Sequence, residues 1–319
     1  MRRVDVEIHD EGCLYEKEQV ATIGFFDGVH LGHRYLIDQL QAGNGEESLV
    51  ITFDRHPLAL LHPELHPQVL SSLDVKLLLL SYTNADNVAV LHFDTAMAAL
   101  SARDFMRLVL RDRLHVRRLI LGYDNRFGRR GEGSEECFED YVAYGEELGI
   151  DVQRAAEWTR DGEKISSSVI RRYLREGDIQ RANTALGYEY IVVGQVVKGF
   201  QEGRKMGFPT ANLDTSEWGQ LVPAPGVYAV MVRQKNAMLW QWGMMNIGTR
   251  PTFDGHEQTL EINILDFDGD LYGETLLVKF IQRIREERRF SSHESLAEQL
   301  ERDREQVEVM REQRLAFKV

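Results

Sequence analysis

The sequence predicts an α/β fold with a parallel sheet in its first half and an antiparallel β fold in its second half. Two observations support this division. In the first half, short apolar segments alternate with amphipathic helical stretches, which is typical of strand–helix–strand units. In the second half, apolar segments follow one another with only Gly, Pro, Asn and Asp turns between them. A chain of 319 residues is also long for a single hydrophobic core, so we predict two domains, at residues 1–186 and 187–319.

Five strands and six helical stretches are predicted in the first half. The strands are nearly continuous apolar runs, as expected when both faces of a parallel sheet are covered. Ligands of such sheets bind beyond the carboxyl ends of the strands, which directs attention to the residues after each strand. The predicted strands are residues 20–26, 48–53, 87–93, 117–121 and 150–154, and the helical stretches are 30–41, 75–81, 102–113, 135–148, 167–176 and 178–185.

The second half contains five predicted strands and ends in a charged helix. Without long helices between the strands, the pattern predicts an antiparallel barrel or a sandwich. Glu-to-Arg pairs at helical spacing indicate the final helix. The strands are residues 190–197, 226–233, 240–246, 260–267 and 274–282, and the helix covers 293–317.

Composition excludes several classes of protein. The formal net charge of −13 argues against a generally basic nucleic-acid surface, although a local basic cleft remains allowed. Only Cys13 and Cys137 are present, which excludes a disulfide framework and a Cys-rich zinc site. No apolar run is long enough to cross a bilayer, and no secretory signal follows Met1. We expect a cytoplasmic protein that needs neither membrane, nucleic acid nor an obligatory protein partner.

The most informative segment runs from Gly24 to His33. A predicted strand ends here, and His30 and His33 follow at the start of a helix, on one face of its first turn. Backbone N–H groups and the positive end of the helix dipole point the same way, which suits a polyphosphate anion. A metal-binding pair or a purely structural helix cap are the alternatives. The surrounding glycines, with Gly32 open to close approach, favour phosphate.

Three further segments offer polar groups at predicted loops. Ser166, Ser167 and Ser168 precede a helix that carries Arg171, so they serve either as caps or as phosphate donors. Asn125 and Phe127 follow a strand, in a loop that is weak evidence by itself. Residues 198–212 combine glycines with cations, which fits a phosphate loop or an ordinary hairpin. Within that stretch, Thr210 and Asn212 supply the hard oxygen ligands that Mg²⁺ prefers.

These segments resemble one family in order along the chain. Residues 24–33 are similar to the His-x-Gly-His signature of class I nucleotidyltransferases and aminoacyl-tRNA synthetases, and in longer form to bacterial bifunctional riboflavin kinase/FAD synthetases. Residues 198–212 resemble the riboflavin kinase signature. Further similar segments are 52–57, 122–128, 165–171, 225–228, 246–253, 261–267, 270–273 and 285–290. The chain departs from many relatives at Phe25, Asn125, Val169 and Lys198.

The resemblance implies a fold and two activities. Residues 1–186 would form a Rossmann-like nucleotidyltransferase domain with a parallel sheet, and residues 187–319 a riboflavin kinase β-barrel with a C-terminal helix. The barrel would phosphorylate riboflavin to FMN with MgATP. The first domain would adenylylate FMN to FAD with a second ATP and release pyrophosphate. ATP, riboflavin and FMN are then the partners, Mg²⁺ is the cofactor, and FMN and FAD are products rather than prosthetic groups.

The resemblance also implies site residues. Glu261 is the expected general base of the kinase, and His30 and His33 are the catalytic residues of the adenylyltransferase. The ATP and phosphate site of the first domain comprises Gly24, Phe26, Asp27, Gly28, His30, Gly32, His33, Asn125, Ser166, Ser167, Ser168 and Arg171. The kinase phosphate site comprises Gly199, Lys205, Gly207, Pro209, Thr210 and Asn212, with Thr210 and Asn212 on the metal. Phe127, Arg285, Glu287 and Phe290 are expected to bind flavin.

Other functions are less consistent with the sequence. A monofunctional nucleotidyltransferase, such as a pantetheine-phosphate or nicotinate-nucleotide adenylyltransferase, leaves the Thr-Ala-Asn segment unexplained unless the barrel is only a flavin-binding module. A tRNA synthetase is disfavoured because neither an anticodon module nor a Lys-Met-Ser-Lys-Ser loop is recognisable. A flavin sensor with a lapsed kinase is disfavoured because Thr210, Asn212 and Glu261 are retained.

Overall fold

A computed structural model describes residues 1–8, 12–65, 67–123, 125–129, 136–159, 162–199, 208–252 and 255–316, except the side chains of 250–252, 255–257 and 316. The chain forms two compact units. The first comprises Met1–Val69 and Leu73–Ser166, and the second Leu70–Ser72 and Ser167–Val319. Within the described residues, no helix combines the length and apolar character needed to span a bilayer.

The first unit is built on a six-stranded parallel sheet. Its strands lie in the order β1-β4-β3-β2-β5-β6. The central strands are buried almost throughout, which explains their continuous apolar sequences. The strands are β1 (Arg2–Val6), β2 (Glu18–Ile23), β3 (Glu46–Phe53), β4 (Asn87–Leu91), β5 (Val116–Leu121) and β6 (Asp151–Arg154).

Helices between these strands complete the α/β arrangement, and the parallel sheet predicted from the sequence is confirmed. The sheet and helices share one hydrophobic core that includes Ile23, Leu49, Phe105 and Leu119. The helices are α1 (Leu31–Asp38), α2 (Pro57–Leu61), α3 (Leu73–Ser81), α4 (Thr95–Ala99), α5 (Ala102–Phe105) and α6 (Phe138–Leu148), with single 3-10 turns at Asp27–Val29 and Pro63–Leu65.

Three details of the first unit differ from the sequence prediction. β2 ends at Ile23 rather than at residue 26, because the next three residues turn away from the sheet and Phe26 takes a left-handed backbone conformation. The predicted helix 102–113 is α5 followed by a π-helical segment, Met106–Arg111. Strand β1 was not predicted, because its alternating charged and apolar residues fit an edge strand rather than a buried one.

The second unit contains a closed six-stranded antiparallel barrel, in the order β10-β11-β8-β7-β12-β9. Of the two arrangements that the sequence left open, the barrel is therefore correct. Strand β8 was not predicted, because its four residues are half exposed and carry little apolar signal. The strands are β7 (Ile191–Val197), β8 (Ala211–Asp214), β9 (Gly226–Gln234), β10 (Gln241–Thr252), β11 (Gly255–Ile264) and β12 (Thr275–Arg285).

Three helices belong to the second unit: α7 (Ser167–Glu176), α8 (Ile179–Leu186) and the C-terminal α9 (His293–Ala316). α8 is tied to the barrel because Asn183 donates to the Phe280 carbonyl at 2.9 Å and accepts the Tyr190 N–H at 2.8 Å. α9 packs Val307 against barrel residues. The compact units thus divide between Ser166 and Ser167, before α7 and α8, whereas the boundary at residue 186 follows them. That boundary stays a prediction for the functional domains.

Candidate functional sites

The order of the parallel sheet creates a crevice at the carboxyl ends of β2 and β5. β3 follows β2 on one side of the sheet, whereas β5 pairs with β2 on the other side, so the direction of winding reverses between β2 and β5. Ligands of open α/β sheets bind at such reversal points. The segment 24–33 follows β2, and the loop with Asn125 and Phe127 follows β5. The fold thus brings two separately predicted segments to one edge.

The turn between β2 and α1 has an unusual backbone. Phe26 and Val29 have φ angles of 52° and 39°, which side-chain-bearing residues rarely adopt, and Gly28 has a φ of 76°. Such conformations cost about 1–3 kcal/mol each and persist where the surrounding structure enforces them, commonly at functional sites. Asp27, Gly28 and Val29 are buried within this turn.

His30 and His33 lie together at the start of α1. His30 is 5% exposed and is the N-cap of the helix, because its Nδ1 accepts the His33 N–H at 3.2 Å. A neutral His30 therefore carries its hydrogen on Nε2, which leaves that nitrogen as a donor. The two imidazole rings stack at 3.6 Å between centroids. Gly32 permits this packing, since a Cβ there would lie 3.2 Å from the His30 ring and 3.3 Å from the Ile165 carbonyl oxygen.

The His33 side chain is held in its neutral form. Its Nδ1 is buried and makes no hydrogen bond to the described residues. Desolvation lowers the pKa of His33 well below 6.5, and electrostatic interactions with His30 and Lys76 lower that pKa further. An imidazole with an unused, buried nitrogen is available to an incoming ligand.

Lys76 is a site residue that the sequence analysis missed. It lies on α3, is 2% exposed, and donates from Nζ to the carbonyls of Phe25 at 3.1 Å and Phe53 at 2.8 Å. Its ammonium also lies 4.1 Å from the centroid of the Phe25 ring. Burial lowers the pKa of Lys76 to about 8, although Asp27 and Asp54 oppose the shift. The one sequence feature that could have indicated Lys76 was its position as the single lysine of a mostly apolar helix.

Asn125 and Phe127 are placed at the same edge of the sheet, but their side chains have internal partners. The Asn125 amide donates to the carbonyl of Ile23 at the end of β2. Phe127 stacks on Tyr141 at 4.6 Å and contacts Phe105 at 5.3 Å, within the core of the unit. Direct contact of either side chain with ATP or flavin stays a prediction.

The serine cluster is divided between the units. Ser166 is the last residue of the first unit, whereas Ser167 and Ser168 begin α7 in the second unit, one turn before Arg171. The predicted helix over 167–176 matches α7 at both ends. A phosphate-binding role for these four residues remains a prediction.

In the barrel, the predicted kinase residues are brought together by strand pairing. Glu261 on β11 lies directly opposite Asn212 on β8, and on its other side opposite Asn246 on β10. Directly paired residues project from the same face of a sheet. The predicted general base and one predicted metal ligand therefore share a face of the barrel, although 49 positions (261 − 212) separate them in the sequence. Asn246 joins them as a residue that sequence reasoning did not select.

The glycine-rich loop is described only at its two ends. Gly199 is required sterically, because a Cβ at this position would lie 2.0 Å from the Asn212 side-chain nitrogen. Pro209 accepts a hydrogen bond from the Asn263 amide at 2.8 Å, just before β8. Lys205 and Gly207 lie outside the described residues.

A cavity of about 470 Å³ opens beside Thr210. This volume is in the usual range for small-molecule sites. Its walls combine apolar side chains with two carboxylates. Segment 267–272 forms one wall, and its residues 267 and 270–272 resemble the family in sequence but were assigned no role. The lining residues are Val196, Pro209, Thr210, Ala211, Ile262, Ile264, Phe267, Asp268, Gly269, Asp270, Leu271 and Tyr272. Ala211 and Ile262 alternate with Asn212 and Glu261, so this cavity adjoins the face opposite to that pair.

The three barrel residues expected to bind flavin have different surroundings. Arg285 forms a bidentate ion pair with the fully buried Asp303 of α9, with distances of 2.8–3.1 Å, and lies 5.6 Å from the Phe290 ring centroid. Glu287 lies beside β10, since a Cβ on Gly248 would be 2.8 Å from its carboxylate oxygen. Arg285 thus has a structural partner, whereas Glu287 lies near the strand that carries Asn246. Flavin binding by all three stays a prediction.

The described residues contain no cluster of three or more His, Cys, Asp or Glu side chains suited to a metal ion. Thr210 and Asn212 offer the hydroxyl and amide oxygens that suit Mg²⁺ when phosphates supply the remaining ligands.

Comparison with known proteins matches one family model to each half of the chain. The family model for FAD synthetase matches residues 14–169, and the model for riboflavin kinase matches residues 186–310. A bifunctional riboflavin kinase/FMN adenylyltransferase of Escherichia coli strain K12 is 38% identical over 296 residues, covering 92% of this chain and 91% of the relative. The protein of the same description from Bacillus subtilis strain 168 is 33% identical over 304 residues, covering 92% and 94%.

A solved structure shares the fold along nearly the whole chain. The structure, titled as a macrolide-efflux protein from Streptococcus pneumoniae, has a TM-score of 0.81 and 29% identity, and covers 96% of this chain and 98% of its own. The order of the two family matches follows the order of the parallel sheet and the barrel. The chain is a riboflavin kinase and FMN adenylyltransferase, and it belongs to the family of bifunctional enzymes that carry the FAD synthetase part first and the riboflavin kinase part second.

Proposed function

We propose that FMN adenylylation takes place at the carboxyl ends of β2 and β5, with His30 and His33 as its catalytic residues. An oxygen of the FMN phosphate attacks the α-phosphorus of ATP, the bond from that phosphorus to the bridging β-oxygen breaks, and pyrophosphate leaves. No protein nucleophile is needed, because the FMN phosphate is already an anion. The protein has to stabilise the charge that accumulates on the triphosphate.

The geometry at the start of α1 supports this role. The Nε2 hydrogen of His30 and the uncapped N–H groups of the first turn are donors for phosphate oxygens. His33 adds a polar imidazole to the site, and its lowered pKa favours the neutral form of that ring at neutral pH. Ser166 would add its hydroxyl to the phosphate site, with Gly24, Phe26, Asp27, Gly28, Gly32 and Asn125 shaping it. A phosphate-binding role of Ser167, Ser168 and Arg171 stays a prediction.

For the kinase step, we propose that the ribityl 5′-hydroxyl of riboflavin attacks the γ-phosphorus of ATP, and that Glu261 accepts the hydroxyl proton. The products are FMN and ADP. Such transfers depend on in-line positioning and charge neutralisation more than on covalent help. The observation that supports this assignment is the pairing of Glu261 with Asn212, because the proposed base and a proposed metal ligand then share a face of the barrel.

Thr210 and Asn212 would hold a Mg²⁺ ion that arrives with ATP, and this ion supplies neutralisation of the phosphate charge. Thr210 also lines the cavity beside segment 267–272, which adjoins the face of the barrel opposite to Asn212 and Glu261. Gly199 would let the loop approach the nucleotide closely, with Lys205 and Gly207 following in that loop. We further propose a cytoplasmic location, supported by two cysteines that are both free and exposed.

The assignment is tested by separating the two activities in full-length variants. With riboflavin and MgATP, the wild type should form FMN and FAD. The double variant His30→Ala/His33→Ala should form FMN but lose FAD formation by at least 100-fold. Because His30 also caps α1, the single variant His30→Asn is a second test, since its side-chain oxygen keeps the cap but lacks the Nε2 donor.

Glu261→Ala should give the reverse result: FMN formation falls by at least 100-fold, while FAD is still made from supplied FMN. Chromatography of the flavin products measures both reactions in one sample. If either the histidine variants or Glu261→Ala lost both activities while circular dichroism remained that of the wild type, the proposed division of labour would be wrong.

A further inference from the structure

We infer that Lys76 is a positioning residue for FMN adenylylation: its buried ammonium holds the turn between β2 and α1 in the shape that presents His30 and the helix N-terminus to the triphosphate. The inference rests on the proposed assignment of adenylyl transfer to His30 and His33. Lys76 lies on α3, 46 positions (76 − 30) after His30, and belongs to none of the segments that resemble the family.

The two hydrogen bonds of Lys76 reach the turn after β2 and the end of β3. One hydrogen bond reaches the Phe25 carbonyl, immediately before the left-handed Phe26, and the other reaches the Phe53 carbonyl at the end of β3. The hydroxyl of Thr52 donates to the same Phe25 carbonyl at 3.1 Å. A single cation therefore ties the first residue of the strained turn to the neighbouring strand.

Burial of the charged Lys76 side chain reduces the stability of the fold, which argues for a functional reason. The neighbours of Lys76 on α3 include buried Val75, Leu79 and Leu80, so an apolar side chain is what burial alone would favour. The acceptors of Lys76 are main-chain carbonyls, and its pKa is lowered because burial disfavours the charged form. Groups that reduce stability in this way are retained at sites where geometry or charge serves activity.

The charge of Lys76 also acts on the catalytic pair. It lowers the pKa of His33, together with desolvation and His30. The other charged groups facing Lys76 are Asp27 in the turn and Asp54 at the end of β3, and Asp54 is itself bonded to His92 at 2.7 Å. Lys76 thus positions the turn through its hydrogen bond to the Phe25 carbonyl. Its positive charge also favours the neutral form of the His33 imidazole.

Two variants and a matched control test the inference in the full-length protein. Lys76→Met keeps the length and buried shape of the side chain but removes the charge and the donors. Lys76→Arg keeps the charge and the hydrogen-bond donors. The control is Asn87→Leu, because Asn87 is 3% exposed in the same sheet and makes two side-chain hydrogen bonds, to Gln19 and Glu47, at the opposite ends of the strands.

We expect Lys76→Met to lower the kcat of FAD formation from FMN and MgATP by at least 30-fold, with the KM for ATP changed less than threefold. Lys76→Arg should retain at least tenfold more of this kcat than Lys76→Met. Riboflavin phosphorylation by the same samples should stay within twofold of the wild type, which shows that the second unit is folded, and unchanged circular dichroism checks the first unit. Asn87→Leu should lower thermal stability but keep both kcat values within twofold.

A second readout does not depend on turnover. Titration of the His33 ring signals by NMR, assigned with His33→Gln, should show a higher pKa for His33 in Lys76→Met than in the wild type or Lys76→Arg. A kcat for Lys76→Met within threefold of the wild type, equal losses in the Met and Arg variants, or an equal loss in Asn87→Leu would overturn the inference. Full FAD formation by His30→Asn would instead refute the site assignment, whatever the Lys76 variants show.

Discussion

At the scale of single residues, the proposed adenylyltransferase site contains groups that the fold holds in energetically unfavourable states. Phe26 and Val29 have left-handed backbone conformations, Lys76 is a buried cation, and His33 has a buried nitrogen without a partner in the described chain. Each of these features reduces stability when taken alone. Their concentration at the end of β2 is what distinguishes this turn from an ordinary strand–helix connection.

The lowered pKa of His33 predicts a pH dependence of stability. Below about pH 6.5 the unfolded chain binds a proton at this position that the folded chain does not, so stability contributed by His33 is lost as the pH falls. The slope is at most about 1.4 kcal/mol per pH unit for one proton. Denaturant unfolding of the wild type and His33→Gln at pH 7.5 and 5.5 should show a larger acid-induced loss in the wild type. Equal losses in both proteins would contradict the prediction.

At the scale of elements, the barrel is joined to its C-terminal helix by a buried ion pair. Asp303 of α9 is fully buried, binds Arg285 of β12 through both carboxylate oxygens, and accepts a further hydrogen bond from Gln299 at 2.7 Å. Arg285 was expected to bind flavin, and the structure gives it this structural role. The pair therefore fixes the end of β12, from which the segment with Glu287 and Phe290 continues.

Removal of one partner should be costly, because the other charge remains buried. We expect Asp303→Ala to lower the free energy of unfolding of the second unit by about 3–5 kcal/mol. The exposed Glu305→Ala, on the same helix, should change it by less than about 0.5 kcal/mol. Denaturant unfolding followed by tryptophan fluorescence measures both. A similar small effect for the two variants would mean that α9 contributes little to the barrel.

At the scale of the whole molecule, two triphosphate sites in one chain fix the stoichiometry of the products. Each FAD made from riboflavin should consume two ATP and release one ADP from the kinase step and one pyrophosphate from the adenylylation step. In the double variant His30→Ala/His33→Ala, ADP should equal the FMN that accumulates and pyrophosphate should be absent. Parallel assays of ADP, pyrophosphate and flavins check this. Pyrophosphate formed without FAD would indicate a different second reaction.

Much of this architecture was predictable from local sequence pattern. Several predicted elements agree with the structure to within a few residues. They are the strands before His30 and Asn125, the helix that begins at Ser167 and the antiparallel strands after Tyr190. These features depend on apolar periodicity and on turn and cap residues, which are properties of neighbouring positions in the chain. The edge strand β1 and the short strand β8 carry too little of that signal.

The sequence by itself therefore determined the types of most elements, their order and the two segments proposed to bind polyphosphate. Only the tertiary structure decided that Asn212 lies opposite Glu261, that segment 267–272 closes a cavity beside Thr210, and that Lys76 reaches the turn before His30. Pairings of this kind join positions far apart in the chain. They are fixed by strand order and by burial in a shared core, and the local periodicity of the sequence predicts neither.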